Sequence, residues 1–147
     1  MSDNKKYVLK MLATMKPRAL PGRYFIASIP SKHATNKMLG VAIGAFKEPE
    51  GTTLYLKEAG LKLVQKIPGV KISKPHTRIM LSCLPDLEGY GFTGALCGIL
   101  ESKKTGVNII AGYYHDHLFV YENKASIILP ELKRAARAAK LELDQLV

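Results

Sequence analysis

Residues 105–121, TGVNIIAGYYHDHLFVY, decide the fold that we predict for this chain. Two segments rich in β-branched and aromatic residues, 107–112 and 118–121, flank a polar Tyr-Tyr-His-Asp-His run. This pattern is typical of two short strands that meet at a corner. A glycine-rich loop at 88–94 and a helix to about residue 104 precede the pair, and another helix follows it. With a strand at 76–84, the second half reads strand, helix, strand, strand, helix.

The first half shows the same types of element without a visible repeat of sequence. A leading helix is predicted at 4–16, because its apolar residues share one helical stripe and Pro17 ends it. The remaining predictions for this half are strands at 23–29, 38–46 and 52–57, a helix at 58–67, and loops at 31–37 and 71–76. The last helix of the chain is predicted to start at one of two positions, near Lys124 or near Leu129.

Composition indicates a globular chain. The chain has 147 residues, of which 47% are hydrophobic and 23% are charged. This length is enough for one ordinary hydrophobic core, or for two small modules that share a core. No apolar run reaches the ~20 residues of a membrane span, and the start MSDNKKYVLKM lacks the features of a secretory signal. We therefore expect a cytoplasmic protein, in which Cys83 and Cys97 are buried free thiols.

The positive charge is unevenly distributed. Residues 1–78 hold 15 Lys or Arg against 4 Asp or Glu, whereas residues 79–147 hold 7 against 8. Such asymmetry is compatible with binding to nucleic acid or to another anionic partner. The lysines are scattered and do not form a run, which favours a solvated basic surface. A basic scaffold for nucleic acid or a partner is kept as the alternative function.

Gly89, Gly91 and Gly94 match the spacing of the dinucleotide fingerprint, and Asp116 lies 22 residues beyond Gly94. However, residues 85–88 separate the strand from the first glycine, and too few strands follow for a doubly wound sheet. Nucleotide binding is therefore a further alternative. The free amides at a helix start, residues 91–95, are also suited to an anionic group such as a carboxylate.

His115 and His117 flank Asp116, and an extended chain would place both imidazoles on one side. The other histidines, His33 and His76, have no spacing that would complete a metal site, and no serine or cysteine stands in an evident triad pattern. We expect no metal, cofactor or catalytic residue, and keep an enzyme built on these residues as an alternative. The favoured interpretation is that His115 and Asp116 fix the corner by hydrogen bonds to the backbone.

Two stretches of the sequence resemble a known family. TGALCGILESKKTGVNIIAGYYHDHLFV, residues 93–120, resembles the ACT domains, most closely small ACT-like proteins made of two modules. The hairpin FKEPEGTT at 46–53 is similar to that of their first module, and IAGYYHDH at 110–117 is similar to the corner of the second. The resemblance covers about residues 21–139.

The resemblance implies an α+β fold of two ferredoxin-like βαββαβ modules in tandem, with antiparallel sheets. We place the first module, with the leading helix, at 1–75 and the second at 76–147. Only residues 141–147 follow the last helix, so we expect strands to be exchanged between modules. The family's ligand loop, between first strand and first helix, maps onto 88–94. The start of its second strand maps onto Asn108 and Ile109.

The predicted function is therefore regulatory binding of a small molecule, an amino acid, by a non-enzymatic homodimer. The ligand would lie at a module or subunit interface. The amides of Gly91, Phe92, Thr93 and Gly94 would hold its carboxylate, and Asn108, beside Ile109, would offer an amide. Glu48, Glu50 or Asp116 would meet its ammonium group, with Tyr113, Tyr114 and His115 lining the pocket.

Overall fold

The computed structural model describes residues 3–82 and 89–146. In chain order its helices and strands are α1 (Asp3–Thr14), β1 (Arg18–Ala19), β2 (Tyr24–Ile29), α2 (Asn36–Val41), β3 (Ala42–Glu48), β4 (Gly51–Lys57), α3 (Glu58–Val64), β5 (Lys71–Ile72), β6 (His76–Leu81), α4 (Phe92–Ser102), β7 (Asn108–Ala111), β8 (Asp116–Tyr121) and α5 (Ala125–Asp144). The fold is α+β, and every pairing with a defined register among the described strands is antiparallel.

The chain divides into two compact units. Unit 1 comprises residues 1–20 and 78–147, and unit 2 comprises residues 21–77. We predicted a division at 75/76 with the leading helix in the first module. Instead, Met11 of α1 and Met15 beyond its end are buried in the same core as Leu132 of α5. The apolar stripe of α1 was correctly predicted, but a stripe does not specify which core it joins.

Unit 2 is built around β2. Strand β4 pairs with all of β2, from Tyr24 opposite Lys57 to Ile29 opposite Thr52, and β5 pairs with the other edge of β2. Strand β3 lies outside β4. Alternation along the strands places Leu54 and Leu56 on the side of the sheet covered by α2 and α3, and both are fully buried.

In unit 1, β6 lies between β1 and β8, and β7 pairs with the outer side of β8. Helices α1, α4 and α5 cover one side of these strands. The core between them contains the buried side chains of Met11, Met15, Ile79, Leu81, Phe92, Leu96, Leu100, Leu118, Val120, Ile128 and Leu132. Because β1 comes from the N-terminal segment, a strand distant in sequence pairs with β6.

Several local predictions need correction. The segment 38–46 is not one strand, because Thr35 caps a short helix by accepting a hydrogen bond from the Met38 amide, 3.4 Å away. The predicted loop at 71–76 contains β5, which pairs with Ala27 and Ser28. Cys97 is exposed on α4 and not buried, while Cys83 lies outside the described residues. The last helix starts at Ala125, the earlier of the two alternatives.

No helix in the described part of the chain is both long enough and apolar enough to cross a bilayer.

Candidate ligand-binding site

Unit 1 contains a cavity of about 220 Å³ at the start of α4. The loop before α4 and its first turn contribute Gly89, Tyr90, Gly91, Phe92 and Thr93. Strands β7 and β8 contribute Ala111, Gly112 and Asp116, and α1 contributes Tyr7 and Met11. The cavity therefore lies where the loop predicted to bind the ligand meets the predicted corner.

The first turn of α4 presents backbone amides that the helix itself does not use. The Ala95 amide donates to the Gly91 carbonyl at 3.0 Å, and no side chain caps the helix. The amides of Phe92, Thr93 and Gly94 have no hydrogen-bond partner among residues 3–82 and 89–146. Free amides and the positive end of the helix dipole favour an anionic group at this point.

Asp116 supplies a carboxylate to the same cavity. It opens β8 opposite Ala111 of β7, and its side chain is only 5% exposed. Burial raises the pKa of this carboxyl above its ordinary value. Within the described residues we find no hydrogen bond or ion pair made by this side chain, so a cation in the cavity would find an unpaired acid.

Helix α1 forms one wall and packs tightly on the loop. A Cβ atom built on Gly89 would overlap Cζ of Tyr7, so either the Tyr7 ring or the loop would have to move. A Cβ on Gly91 would lie 3.0 Å from Cγ2 of Val8, and Gly91 has φ +97°, a conformation that favours glycine. Glycine at these two positions therefore lets the loop pack closely against α1.

The corner between β7 and β8 is held by its own backbone. The Gly112 amide donates to the His115 carbonyl at 2.9 Å. Tyr113 and Tyr114 are 72% and 66% exposed, with their rings edge to face. The Nδ1 atom of His115 is buried without a hydrogen-bond partner among the described residues. The predicted side-chain role of His115 in fixing the corner is thus not seen; its carbonyl has that role.

His117 points away from the cavity, because consecutive residues of a strand face opposite sides. Arg78 of β6 approaches its Nδ1 with Nε at 3.3 Å and Nη2 at 3.1 Å. Arginine only donates, so Nδ1 accepts and the neutral ring carries its proton on Nε2. Burial, with Arg78 and His115 nearby, lowers the pKa of His117. The described residues contain no group of three or more potential metal ligands.

The structure brings together only part of the predicted site. Gly91, Phe92, Thr93 and Asp116 line the cavity, but Gly94 does not, although its amide belongs to the same helical turn. The other predicted residues of unit 1 lie elsewhere: Asn108 is exposed on β7, Ile109 packs against the core, and Tyr113, Tyr114 and His115 belong to the corner without lining the cavity.

The two predicted acids of the first hairpin belong to unit 2. Glu48 ends β3 and accepts a hydrogen bond from the Thr53 hydroxyl, and Glu50 is exposed in the turn. Their pairing with a ligand stays a prediction.

Tyr7 and Met11 are the cavity residues that the sequence did not indicate. Both lie on the apolar stripe of α1, where a residue that lines a cavity has the same spacing as one that fills a core. The signal that did exist was indirect. Gly89 and Gly91 indicate that another element approaches the backbone of the loop. The sequence alone does not show that this element is α1.

No family profile and no curated protein matches this chain. Among solved structures, a Vibrio cholerae protein of unknown function, described as a "Possible Transport Protein", is 33% identical with a TM-score of 0.75. That alignment covers 92% of this chain and 99% of the Vibrio protein. A protein from Agrobacterium tumefaciens is 17% identical with a TM-score of 0.66, covering 83% and 89% of the two chains.

The regulatory subunit of aspartate kinase from Thermus thermophilus, in its ligand-free form, is 8% identical with a TM-score of 0.62. The alignment covers 83% of this chain and 97% of that subunit. Regulatory parts of other aspartate kinases align similarly, and these are ACT-domain structures. At such low identity they establish the fold alone, which confirms the expected ACT-like fold. The chain belongs to the family of the Vibrio cholerae protein, and its fold is ACT-like.

Proposed function

We propose that this chain is a non-enzymatic, cytoplasmic regulatory protein whose cavity in unit 1 binds a free amino acid. The observation that carries the proposal is that one small cavity holds both free backbone amides, which favour an anion, and a carboxylate, which favours a cation. The first turn of α4 presents free amides, and Asp116 presents a buried carboxylate. An α-amino acid has the complementary pair, a carboxylate and an ammonium group.

The size of the cavity agrees with such a ligand. About 220 Å³ is enough for an amino acid and too little for a dinucleotide. Tyr7, Met11 and Phe92 provide an apolar wall for the ligand's side chain. Residues 82–88 separate β6 from Gly89, whereas a dinucleotide fold needs its glycine turn directly after the strand.

The proposal includes the finer architecture. The two units are two ACT-like modules, and the module of unit 1 uses β1 as its closing strand. Support comes from the order of elements, since unit 2 contains the complete run β2, α2, β3, β4, α3, β5. Ligand binding would regulate by favouring one arrangement of a homodimer over another, which requires different affinity for the two arrangements. Light scattering of the full chain with and without ligand measures that assembly.

Asp116 makes the binding depend on pH. Only the ionised carboxylate attracts an ammonium group, and burial raises the pKa of Asp116. Affinity is therefore expected to fall as the pH falls through that raised pKa. Calorimetric titration between pH 4 and pH 8 measures this, and the Asp116→Asn variant should bind weakly without the same slope.

The experiment that tests the proposal is a thermal-shift screen of the full chain against the twenty amino acids, each alone. A ligand at 100 times its Kd stabilises by about 2.7 kcal/mol, which raises Tm by several degrees. Asp116→Asn should weaken the binding of the selected amino acid about 10- to 100-fold, because a hydrogen bond to a charged group is lost. Tyr113→Ala, an exposed change outside the cavity, is the control.

Two results contradict the proposal. If no amino acid shifts the Tm, the ligand class is wrong. If an amino acid binds equally to the wild type and to Asp116→Asn, binding occurs elsewhere in the chain and the proposed site is wrong.

A further inference from the structure

Unit 2 contains its own cavity, of about 550 Å³, between α2 and β3. Its lining divides into polar residues, including Ser31, Lys47 and Thr52, and apolar residues, including Leu39 and Ala45. It shares no lining residue with the cavity of unit 1.

The polar residues of this cavity are neighbours in the fold. Lys47 of β3 pairs with Thr52 of β4, and the Thr52 hydroxyl lies 3.2 Å from that of Ser31. Thr52 is only 1% exposed, so this pair of hydroxyls is built into the structure. One hydroxyl donates to the other, which leaves one O–H proton to donate to a ligand.

The charge of the cavity is positive. Lys47 is exposed and makes no ion pair with any described residue, and no carboxylate lines the cavity. The nearest acid in sequence, Glu48, faces the other side of β3 and accepts from Thr53. A ligand that fits these groups therefore carries a negative charge.

The remainder of the wall is apolar. Leu39 of α2 is 37% exposed and Ala45 is also exposed, although both lie beside a sheet with a packed core. Single exposed apolar residues are common on protein surfaces. Here, however, Leu39 and Ala45 line the same cavity as the ammonium group of Lys47.

We propose that this cavity binds a monocarboxylate with a short apolar tail. The single ammonium group of Lys47 balances one negative charge, whereas a phosphate monoester carries about −1.5 to −2. The hydroxyl pair donates to the carboxylate, and Leu39 with Ala45 contacts the tail. This site is independent of the amino-acid site in unit 1.

The test is calorimetric titration of the full chain with octanoate, octylammonium and octyl phosphate as separate probes. Octanoate is expected to bind more tightly than either of the others. Lys47→Gln should weaken octanoate binding about tenfold, because one hydrogen bond to a charged group is lost. Lys57→Gln is the matched control, since it removes the same charge at an exposed position of β4 that does not line the cavity. Circular dichroism checks that both variants fold.

Each other outcome contradicts the proposal. Absence of octanoate binding, or equal binding of octylammonium, rules out a site for anions with an apolar tail. Tighter binding of octyl phosphate contradicts the assignment to a carboxylate. If Lys47→Gln binds octanoate like the wild type, Lys47 is not part of the site. The thermal shift with amino acids should be the same in Lys47→Gln and in wild type, so failure here leaves the site in unit 1 unaffected.

Discussion

The cavities of the two units are formed by elements in the same order along the chain, but their charged side chains have opposite signs. Each is lined by the segment after one strand, by the helix that follows, and by the next strand. In unit 1 the charged group is Asp116, which is buried, and in unit 2 it is Lys47, which is exposed. The comparison teaches that the order of elements sets where a concavity forms, whereas single side chains set the charge of the ligand.

The cores of the units also differ. Among the described residues, eleven buried side chains form the core of unit 1 and five form that of unit 2. The reason is the number of covering helices, since α1 adds to α4 and α5 in unit 1. Unit 2 has only the short helices α2 and α3. The stability of unit 2 therefore depends on fewer buried contacts.

The largest effect is expected from truncating each core. Leu118→Ala in unit 1 and Leu54→Ala in unit 2 remove fully buried side chains, and each should lower the free energy of unfolding by about 2–5 kcal/mol. Urea denaturation measures the loss, and hydrogen exchange should locate it in the mutated unit. Leu63→Ala, at a position 38% exposed, is the control and should cost much less. A negligible effect of Leu54→Ala would show that unit 2 has no core of its own.

A smaller effect is expected from the contact between α1 and the loop of unit 1. Gly89→Ala places a methyl group against the Tyr7 ring, so the helix or the loop must move. We expect a loss of about 1–3 kcal/mol in urea denaturation, as for other overpacked sites. Gly94→Ala has open space around the new methyl group and should stabilise α4 by about 0.5–1 kcal/mol. If Gly89→Ala cost nothing, the contact between the loop and Tyr7 would not contribute to stability.

The sequence predicted most of the strands but not the membership of the units. Alternation in 52–57 and the β-branched segments at 107–112 and 118–121 report a local pattern, and these strands formed as expected. Helix α1 packs in the core of unit 1 because of contacts between residues far apart in the chain, which a local pattern does not report. The same limit applies to β5, a strand of two residues whose pairing with β2 no local pattern indicates.

The part of the candidate site formed by the loop before α4 could be predicted from the sequence. The wall formed by α1, which is distant in sequence, could not. Gly91, Phe92 and Thr93 followed from a glycine-rich loop before a helix, and Asp116 from its place beside the corner. Tyr7 did not follow, because only the folded chain brings α1 to Gly89. The basic first half of the sequence is divided between the units, because residues 1–20 belong to unit 1 and residues 21–77 to unit 2.

The pH dependence of stability should have opposite signs at two buried groups. Burial raises the pKa of Asp116 in unit 1, so the folded state binds its proton more tightly than the unfolded state. Its contribution to stability is therefore present below the unfolded pKa and is lost as pH rises through the folded pKa. Asp116→Asn should remove this loss, and so become more stable relative to wild type as the pH rises.

His76 in unit 2 is the opposite case. It is 3% exposed, and burial lowers its pKa. The unfolded state binds the proton more tightly, so stability is present above the unfolded pKa of about 6.5 and is lost as the pH falls through the folded pKa. Urea denaturation of His76→Gln against wild type, from pH 8 to pH 5, should show this slope disappear. The same slope in both proteins would show that His76 is solvated.

The smallest effect compares two surface ion pairs of equal length. Glu58 accepts from Arg23 at 3.2 Å in unit 2, and Glu142 lies 3.2 Å from Lys5 in unit 1. Both pairs are about half exposed, so each contributes only about 0–1 kcal/mol. Their helices distinguish them, because Glu58 stands in the first turn of α3 and Glu142 in the last turn of α5. A negative charge is favourable at the first position and unfavourable at the second. Glu58→Gln should therefore cost about 0.5–1 kcal/mol in urea denaturation, while Glu142→Gln should cost about zero. High salt should reduce the difference; equal costs for the two variants would mean that the ion pairs outweigh the helix dipole.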